Sequence, residues 1–241
     1  LGHIYSSGEY TKRDINRGIY YYTLAASQNN LEAQYNLGFL YADGKYVEKD
    51  INKAIYYFTL AANQNDVGAQ FDLGLIYQKR EDIGKALYYF TQAANQNHPK
   101  AQFYLGVIYL SQNINKAIYY FTLAANQNDE DAQFNLGYIY ESGKYVSRDI
   151  NKSIRYYSLA ANQNNVNAQF NLGVIYAQGL YVVKDINKAI YYYSQAANQN
   201  DANAQFMLGF NYSNKRYDIF DINKAIHYYS LSAEQNNKSA Q

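Results

Sequence analysis

The sequence predicts an all-α solenoid of stacked helix pairs, and three observations carry that expectation. An Ala-Gln pair recurs at Ala33, Ala69, Ala101, Ala132, Ala168, Ala204 and Ala240, at intervals of 36, 32, 31, 36, 36 and 36 residues. About six to seven units of 31–36 residues therefore fill the chain, and such a period marks stacked units rather than one globular core. Each unit holds two stretches with apolar residues at helical spacing. Residues that cap helices recur at fixed places between those stretches.

The first helix of a unit is clearest at Ala132 to Ser142, AQFNLGYIYES. With its alanine as position 1, Ala132, Leu136 and Tyr140 fall at positions 1, 5 and 9 and share one stripe. Position 6 is glycine throughout: Gly2, Gly38, Gly74, Gly106, Gly137, Gly173 and Gly209. A glycine inside a helix costs about 1 kcal/mol against alanine. Its recurrence predicts close approach of the partner helix.

The second helix is clearest at Ile51 to Gln64, INKAIYYFTLAANQ, with Ala54, Ile55, Phe58, Ala61 and Ala62 as its buried stripe. The small residue at Ala54 recurs as Gly18, Ala86, Ala117, Ser153, Ala189 and Ala225, and is expected to face the glycine. Tyr57 and Phe58, aromatic in every unit, are expected to fill the gaps between pairs.

Boundaries are equally regular. Asp14, Asp50, Asp82, Asp149, Asp185 and Asp221 precede the second helix, with Asn113 in that place once, and each carries the oxygen an N-cap needs. The second helix ends in Gln-Asn, at Asn29, Asn65, Asn97, Asn128, Asn164, Asn200 and Asn236. Asparagine tolerates the left-handed conformation that ends helices. The residue after it (Asn30, Asp66, His98, Asp129, Asn165, Asp201, Asn237) is expected to cap the next first helix, and Pro99 then stands at the first helical position. Connections inside a pair are long in most units, as at Glu141 to Asp149. They are four or five residues shorter around 78–82 and 110–113, where a tight turn is expected with unchanged helix packing.

One unit contains Ala168, Leu172, Gly173, Tyr176, Gly179, Val182, Asp185, Lys188, Ala189, Tyr192, Tyr193, Ala196, Ala197 and Gln199 at fixed spacing. This pattern resembles the Sel-one-like repeat (SLR) family, relatives of the tetratricopeptide repeat, over essentially the whole chain. The departures are Asn200 where the family often has Gly, Tyr192 where it has Trp, and Tyr181 in place of a second loop glycine. The resemblance implies a right-handed superhelix of antiparallel helix pairs that serves as an adaptor for protein complexes.

Composition narrows the function classes. A net charge of +1 gives no strong field for nucleic acid or anionic lipid. There is no cysteine, which excludes disulfides and thiolate metal sites without fixing the compartment. No apolar run reaches the roughly 18 residues of a membrane span. The three histidines, His3, His98 and His227, occupy different places in the repeat, and no metal-ligand or phosphate-loop spacing occurs. The aspartates before the second helices read as caps rather than general bases. No enzyme, cofactor or metal is therefore expected.

What the stack exposes points instead to a partner. Positions 4, 7 and 11 of the first helix face away from the inward stripe. Position 7 carries His3, Phe39, Leu75, Val107, Tyr138, Val174 and Phe210. Position 4 carries Asn36, Asp72, Tyr104, Asn135, Asn171 and Met207. These residues vary between units while the core does not. Position 7 either packs against neighbouring first helices or forms an apolar groove floor, flanked by amides, for a peptide or partner helix. Tyr20, Tyr56, Tyr88, Tyr119 and Tyr191 form a second candidate row on the other side, which codon usage explains equally well. The expected function is a protein-binding scaffold. The alternative is a structural or regulatory segment beside a catalytic domain, for example in a kinase or ubiquitin-ligase complex.

The chain opens at Leu1-Gly2, positions 5 and 6 of a first helix, and closes at Ala240-Gln241, positions 1 and 2 of another. The expectation is a single solenoid over residues 1–241 cut inside a helix at both ends, with open apolar ends prone to end-to-end association.

Overall fold

The computed structural model describes residues 1–7 and 12–235. The expected caps Asn236 and Asn237 and the Ala240-Gln241 pair lie outside the described residues. The chain divides into two compact units, Leu1–Asn113 and Ile114–Gln241. In the first unit the helices are α1 (Gly2–Ser7), α2 (Ile15–Ser27), α3 (Leu31–Asp43), α4 (Ile51–Asn63), α5 (Val67–Lys79), α6 (Ile83–Asn95) and α7 (Pro99–Tyr109). The second holds α8 (Ile114–Asn126), α9 (Glu130–Ser142), α10 (Ile150–Asn162), α11 (Val166–Gln178), α12 (Ile186–Asn198), α13 (Ala202–Ser213) and α14 (Ile222–Glu234). No strand is present among the described residues. In the first unit α1, α3 and α5 pack on the second helices of their own repeats, as α9, α11 and α13 do in the second, and α3, α5, α7, α9, α11 and α13 each pack on the second helix of the repeat before. Successive first helices also meet, α3 with α5 and α9 with α11.

The caps form as the sequence predicts. The Asp50 carboxylate accepts from Asn52 and Lys53 N–H, and Asp149, Asp185 and Asp221 each accept from the N–H three residues on. Asn29, Asn65, Asn97, Asn128, Asn164 and Asn200 all have φ between 62° and 67°. Two backbone bonds close each of these ends. At the first, Asn29 N–H donates to the Ala26 carbonyl and Asn30 N–H to that of Ala25. Asn30 Oδ1 then accepts from Ala33 N–H, so one asparagine pair ends α2 and starts α3.

Loop length leaves the helix pair unchanged. Across a long connection, Asp50 N–H donates to the Tyr41 carbonyl at 3.0 Å. Across the short one, Asp82 N–H donates to Tyr77 at the same 3.0 Å. The short turn achieves this by placing Glu81, just before the N-cap, at φ 61°, whereas three long connections take a positive φ directly after the first helix, at Gly44, Gly143 and Gly179. Tyr77 stacks on Tyr89 at 5.6 Å in the short repeat, as Tyr41 stacks on Tyr57 at 6.0 Å in a long one.

The glycines at position 6 admit a close approach of the partner helix, as expected. A Cβ on Gly38 would meet the Phe58 ring at 2.5 Å, and one on Gly137 would meet Tyr157 at 2.5 Å. The nearest group is thus an aromatic ring of the partner helix, which the sequence alone did not assign. The small residue faces the same turn: a Cβ on Gly18 would lie 3.2 Å from Ser6 N and 3.3 Å from the Gly2 carbonyl. The ring's other side reaches the next repeat, where Phe58 clusters with Ala69 and Leu73, and Tyr157 with Ala168 and Leu172. Tyr57 packs the opposite way, against a cluster of Tyr22 and Ala26 of the preceding repeat with Ala33 and Leu37 of its own. Neighbouring aromatics therefore join each pair to both its neighbours, as their expected gap-filling role requires.

The Gln of the Ala-Gln pair is buried and does what the sequence alone did not reveal. Gln34 Nε2 donates to the Ala26 carbonyl and to Asn29 Oδ1, satisfying an exposed helix end. Its Oε1 accepts from Gln64 Nε2, at the end of the second helix of the same repeat, at 2.7 Å. The same amide pair recurs as Gln70–Gln96 at 2.8 Å, Gln133–Gln163 at 2.8 Å, Gln169–Gln199 at 2.9 Å and Gln205–Gln235 at 2.8 Å. Gln34 reaches back to Ala26 and Asn29, and Gln64 Nε2 also donates to the Asn29 carbonyl at 3.2 Å, so the pair ties its repeat to the one before through polar groups that are costly to leave unpaired.

Candidate functional site

Adjacent first helices line up their position-7 residues. In the first unit Phe39 is 53% exposed and Val107 38%, with Leu75 half-buried between them in sequence order. In the second unit Tyr138 is 45% and Phe210 48% exposed, again around a half-buried Val174. His3 is exposed on α1. Both readings of this row are thus represented: Val174 packs against the α12–α13 core cluster, while the larger side chains stand about half in solvent.

Position 4 is less free than expected. Tyr104 stacks on Phe90 of the preceding repeat with centroids 5.2 Å apart. Met207 packs on the cluster containing Tyr193. Asn171 Nδ2 donates to the Tyr157 hydroxyl at 3.0 Å, and that hydroxyl donates to Glu141 Oε2 at 2.7 Å. Asn135 turns back to the Asp131 carbonyl at 2.8 Å. Asn36 is half-buried. The position-4 side chains therefore close seams between repeats and form walls beside the position-7 row.

Asp72 is the electrostatic exception among them. Burial, with Asp66 adding repulsion, raises its carboxyl from 3.8 to about 6, although the Tyr35 hydroxyl hydrogen-bonds to its charged form. Burial beside that carboxylate pushes the Tyr35 hydroxyl up to about 12.

The seam between Tyr157 and its partners shows a pattern written in the sequence but not read there. The buried aromatic of the second helix faces position 10 of its own first helix. Tyr22 meets Ser6, Tyr157 meets Glu141 and Tyr229 meets Ser213, at 3.3, 2.7 and 3.5 Å between oxygens. Tyr193 breaks the rule: its neighbours at the equivalent places are Ala177 and Met207, and its buried hydroxyl has no hydrogen-bond partner.

No group of histidine, carboxylate or thiol ligands able to hold a metal occurs among the described residues. His98 is the N-cap of α7, its Nδ1 accepting from Ala101 N–H at 3.2 Å, and its ring stacks on Phe71 at 4.5 Å. His227 packs edge-on against Tyr228. The exposed tyrosine row is real: Tyr20, Tyr56, Tyr88, Tyr119 and Tyr191 are the most solvent-facing rings of their helices, each edge-on to the next aromatic. No helix among the described residues is long and apolar enough to cross a membrane.

Helix pairs that repeat the same caps and the same buried positions define a repeat scaffold of the α-solenoid class. Seven copies of the Sel1 repeat match the chain, over residues 1–30, 31–66, 67–98, 99–129, 130–165, 166–201 and 202–237. The chain belongs to the Sel1 repeat family, whose repeats typically serve as protein-interaction scaffolds and are generally non-catalytic.

Two solved structures are similar over all of it. The protective antigen c5321 of uropathogenic Escherichia coli, which displays an SLR fold, is 30% identical with a TM-score of 0.91. The match covers 100% of this chain and 54% of the antigen. A Sel1 repeat protein from Oxalobacter formigenes is 30% identical with a TM-score of 0.81, covering 100% of this chain and 72% of that one. The chain thus spans about half the length of the Escherichia coli antigen. No curated protein matches it.

Proposed function

We propose that the chain is a protein–protein interaction scaffold that holds a peptide or partner protein against its first helices. The observation that supports this most is the position-7 row. Phe39, Tyr138 and Phe210 are large, apolar and about half exposed, and they differ from repeat to repeat where the core residues beneath them do not. Exposed apolar side chains at one helix position of each repeat, with polar groups beside them, suit an extended peptide or the apolar face of a helix. A net charge of +1 offers a polyanion little attraction, so a protein fits this surface better than nucleic acid.

A photo-crosslinking amino acid placed at Phe39, Tyr138 or Phe210, and separately at Tyr20, Tyr56 or Tyr191, tests the assignment in cell extract. Adducts of discrete mass are expected from the first set only. Adducts confined to the second set would move the binding face to the second helices and overturn the proposal.

A further inference from the structure

In three of the long connections, a cation just before the N-cap of the second helix lies over a tyrosine of the next repeat's connection. Arg13 covers Tyr46 at 4.9 Å, Arg148 covers Tyr181 at 4.7 Å and Lys184 covers Tyr217 at 5.3 Å. Arg13 and Arg148 also donate to carbonyls at the end of their own first helix. Lys49 stands at the same place in the second repeat, but the third repeat has the short connection, ending at Asp82, and supplies no tyrosine there. The missing residues leave an open pocket of about 450 Å³. Its floor is Ala42, Ile51, Leu75 and Ile76, and its rim is Lys49, Lys79 and Arg80.

The charge of this rim is not imposed by the fold. The equivalent pocket of the second unit, about 350 Å³, has Gln178 where Lys79 stands and Glu141 where Ala42 stands, and it is partly covered by Leu180 and Tyr181. Around the first pocket no carboxylate contributes to the lining. Of the nearby acids, Asp50 pairs with Lys53 at 3.6 Å, Asp82 pairs with Lys85 at 3.2 Å and Asp43 accepts from the Lys45 N–H, while Glu48 and Glu81, next in sequence to Lys49 and Arg80, stand outside the lining. The Arg80 guanidinium bonds only the neutral Asn52 side chain, at 3.0 Å.

We infer that this pocket binds an acidic peptide segment, in which one large aliphatic side chain flanked by carboxylates enters between Leu75 and Ile51 under Lys49, Lys79 and Arg80. Three cations around an apolar floor match that chemistry on both counts: the floor takes the aliphatic group out of water, and the rim supplies the opposite charge. The inference rests on the scaffold reading above and names the ligand class for one part of the same surface.

The test uses the whole chain and a fluorescein-labelled peptide bearing one leucine between paired glutamates, with fluorescence anisotropy as readout. Two control peptides replace the leucine by serine or the glutamates by lysines. The acidic leucine peptide should bind best, and raising salt from 50 to 200 mM should weaken it several-fold. The double variant Lys79→Gln, Arg80→Gln should weaken it about tenfold, as should Lys49→Gln, an exposed loop change that leaves every helix intact. Arg148→Gln, in the second unit, should change nothing. Equal binding of the lysine peptide, or full binding by Lys49→Gln and the double variant alike, overturns the inference. Crosslinked partners that persist at Phe39 while the acidic peptide fails to bind would sink this inference alone. Loss of all crosslinks at position 7 would sink the scaffold reading instead.

Discussion

The two buried tyrosine hydroxyls of the second unit give opposite predictions for the same substitution. Tyr157→Phe removes a bond to an ionised carboxylate, Glu141, and strips Asn171 of its acceptor. Bonds to charged groups contribute about 1.5–3 kcal/mol, so a loss near 2 kcal/mol is expected. Tyr193→Phe removes a hydroxyl that is fully buried against Ala177 and Met207 with no partner. Leaving such a group unsatisfied costs about 1–3 kcal/mol, so its removal should stabilise the chain by about 1 kcal/mol. Urea unfolding followed by circular dichroism reads both. With a slope of about 2 kcal/mol/M, the midpoint should fall by about 1 M in the first variant and rise by about 0.5 M in the second. Ala177→Ser, which reproduces the serine found beside Tyr22 and Tyr229, should give Tyr193 a partner and abolish the benefit of Tyr193→Phe. If Tyr193→Phe destabilised as much as Tyr157→Phe, the account of this seam would be wrong.

Two further predictions concern pH and carry opposite signs. The folded Asp72 carboxyl titrates near 6 against its ordinary 3.8, so the folded state holds that proton more tightly. Stability from this group is complete below about pH 4 and is lost as pH rises through 6, making Asp72→Asn stabilising at pH 7 by about 1 kcal/mol after discounting for partial solvent access. Thermal melts of both chains at pH 4.5 and 7.5 check this, and an unchanged difference between the two pH values would refute it. Burial lowers His98 below its ordinary 6.5, and protonating Nδ1 would remove the acceptor that caps α7. Stability from that group is present above 6.5 and lost as pH falls, by about 1 kcal/mol for a cap, and His98→Asn should flatten this slope while Asp72→Asn leaves it in place.

Most of the architecture was legible because its determinants are local. Asp50, Asn65 and Asp66 act on backbone within three residues of themselves, so their roles follow from residue type and spacing. The position-6 glycines announced a close approach, but the group that approaches, the Phe58 or Tyr157 ring, lies in another helix. Nothing local marks Gln34 and its equivalents as buried, since glutamine is usually exposed, and only the folded repeat brings Gln64 within reach. Asp72 and Asn171 sit at one helix position and each meets a tyrosine hydroxyl of the preceding repeat, yet burial penalises the charged carboxyl of the first and not the neutral amide of the second. The short connection at 78–82 was plain in the sequence. That it uncovers a cation-rimmed pocket depends on where Lys49 and Tyr46 stand in space.

The scaffold reading stands or falls on the inner row. The variant Phe39→Ser, Tyr138→Ser, Phe210→Ser should keep the helical circular dichroism signal, since all three side chains are about half exposed. Its affinity for the partner captured by crosslinking, measured by isothermal titration, should fall at least tenfold. The matched variant Tyr56→Ser, Tyr88→Ser, Tyr191→Ser should bind that partner unchanged. Unchanged binding by the inner variant, or its unfolding, would show that the row belongs to the core and that the partner is held elsewhere.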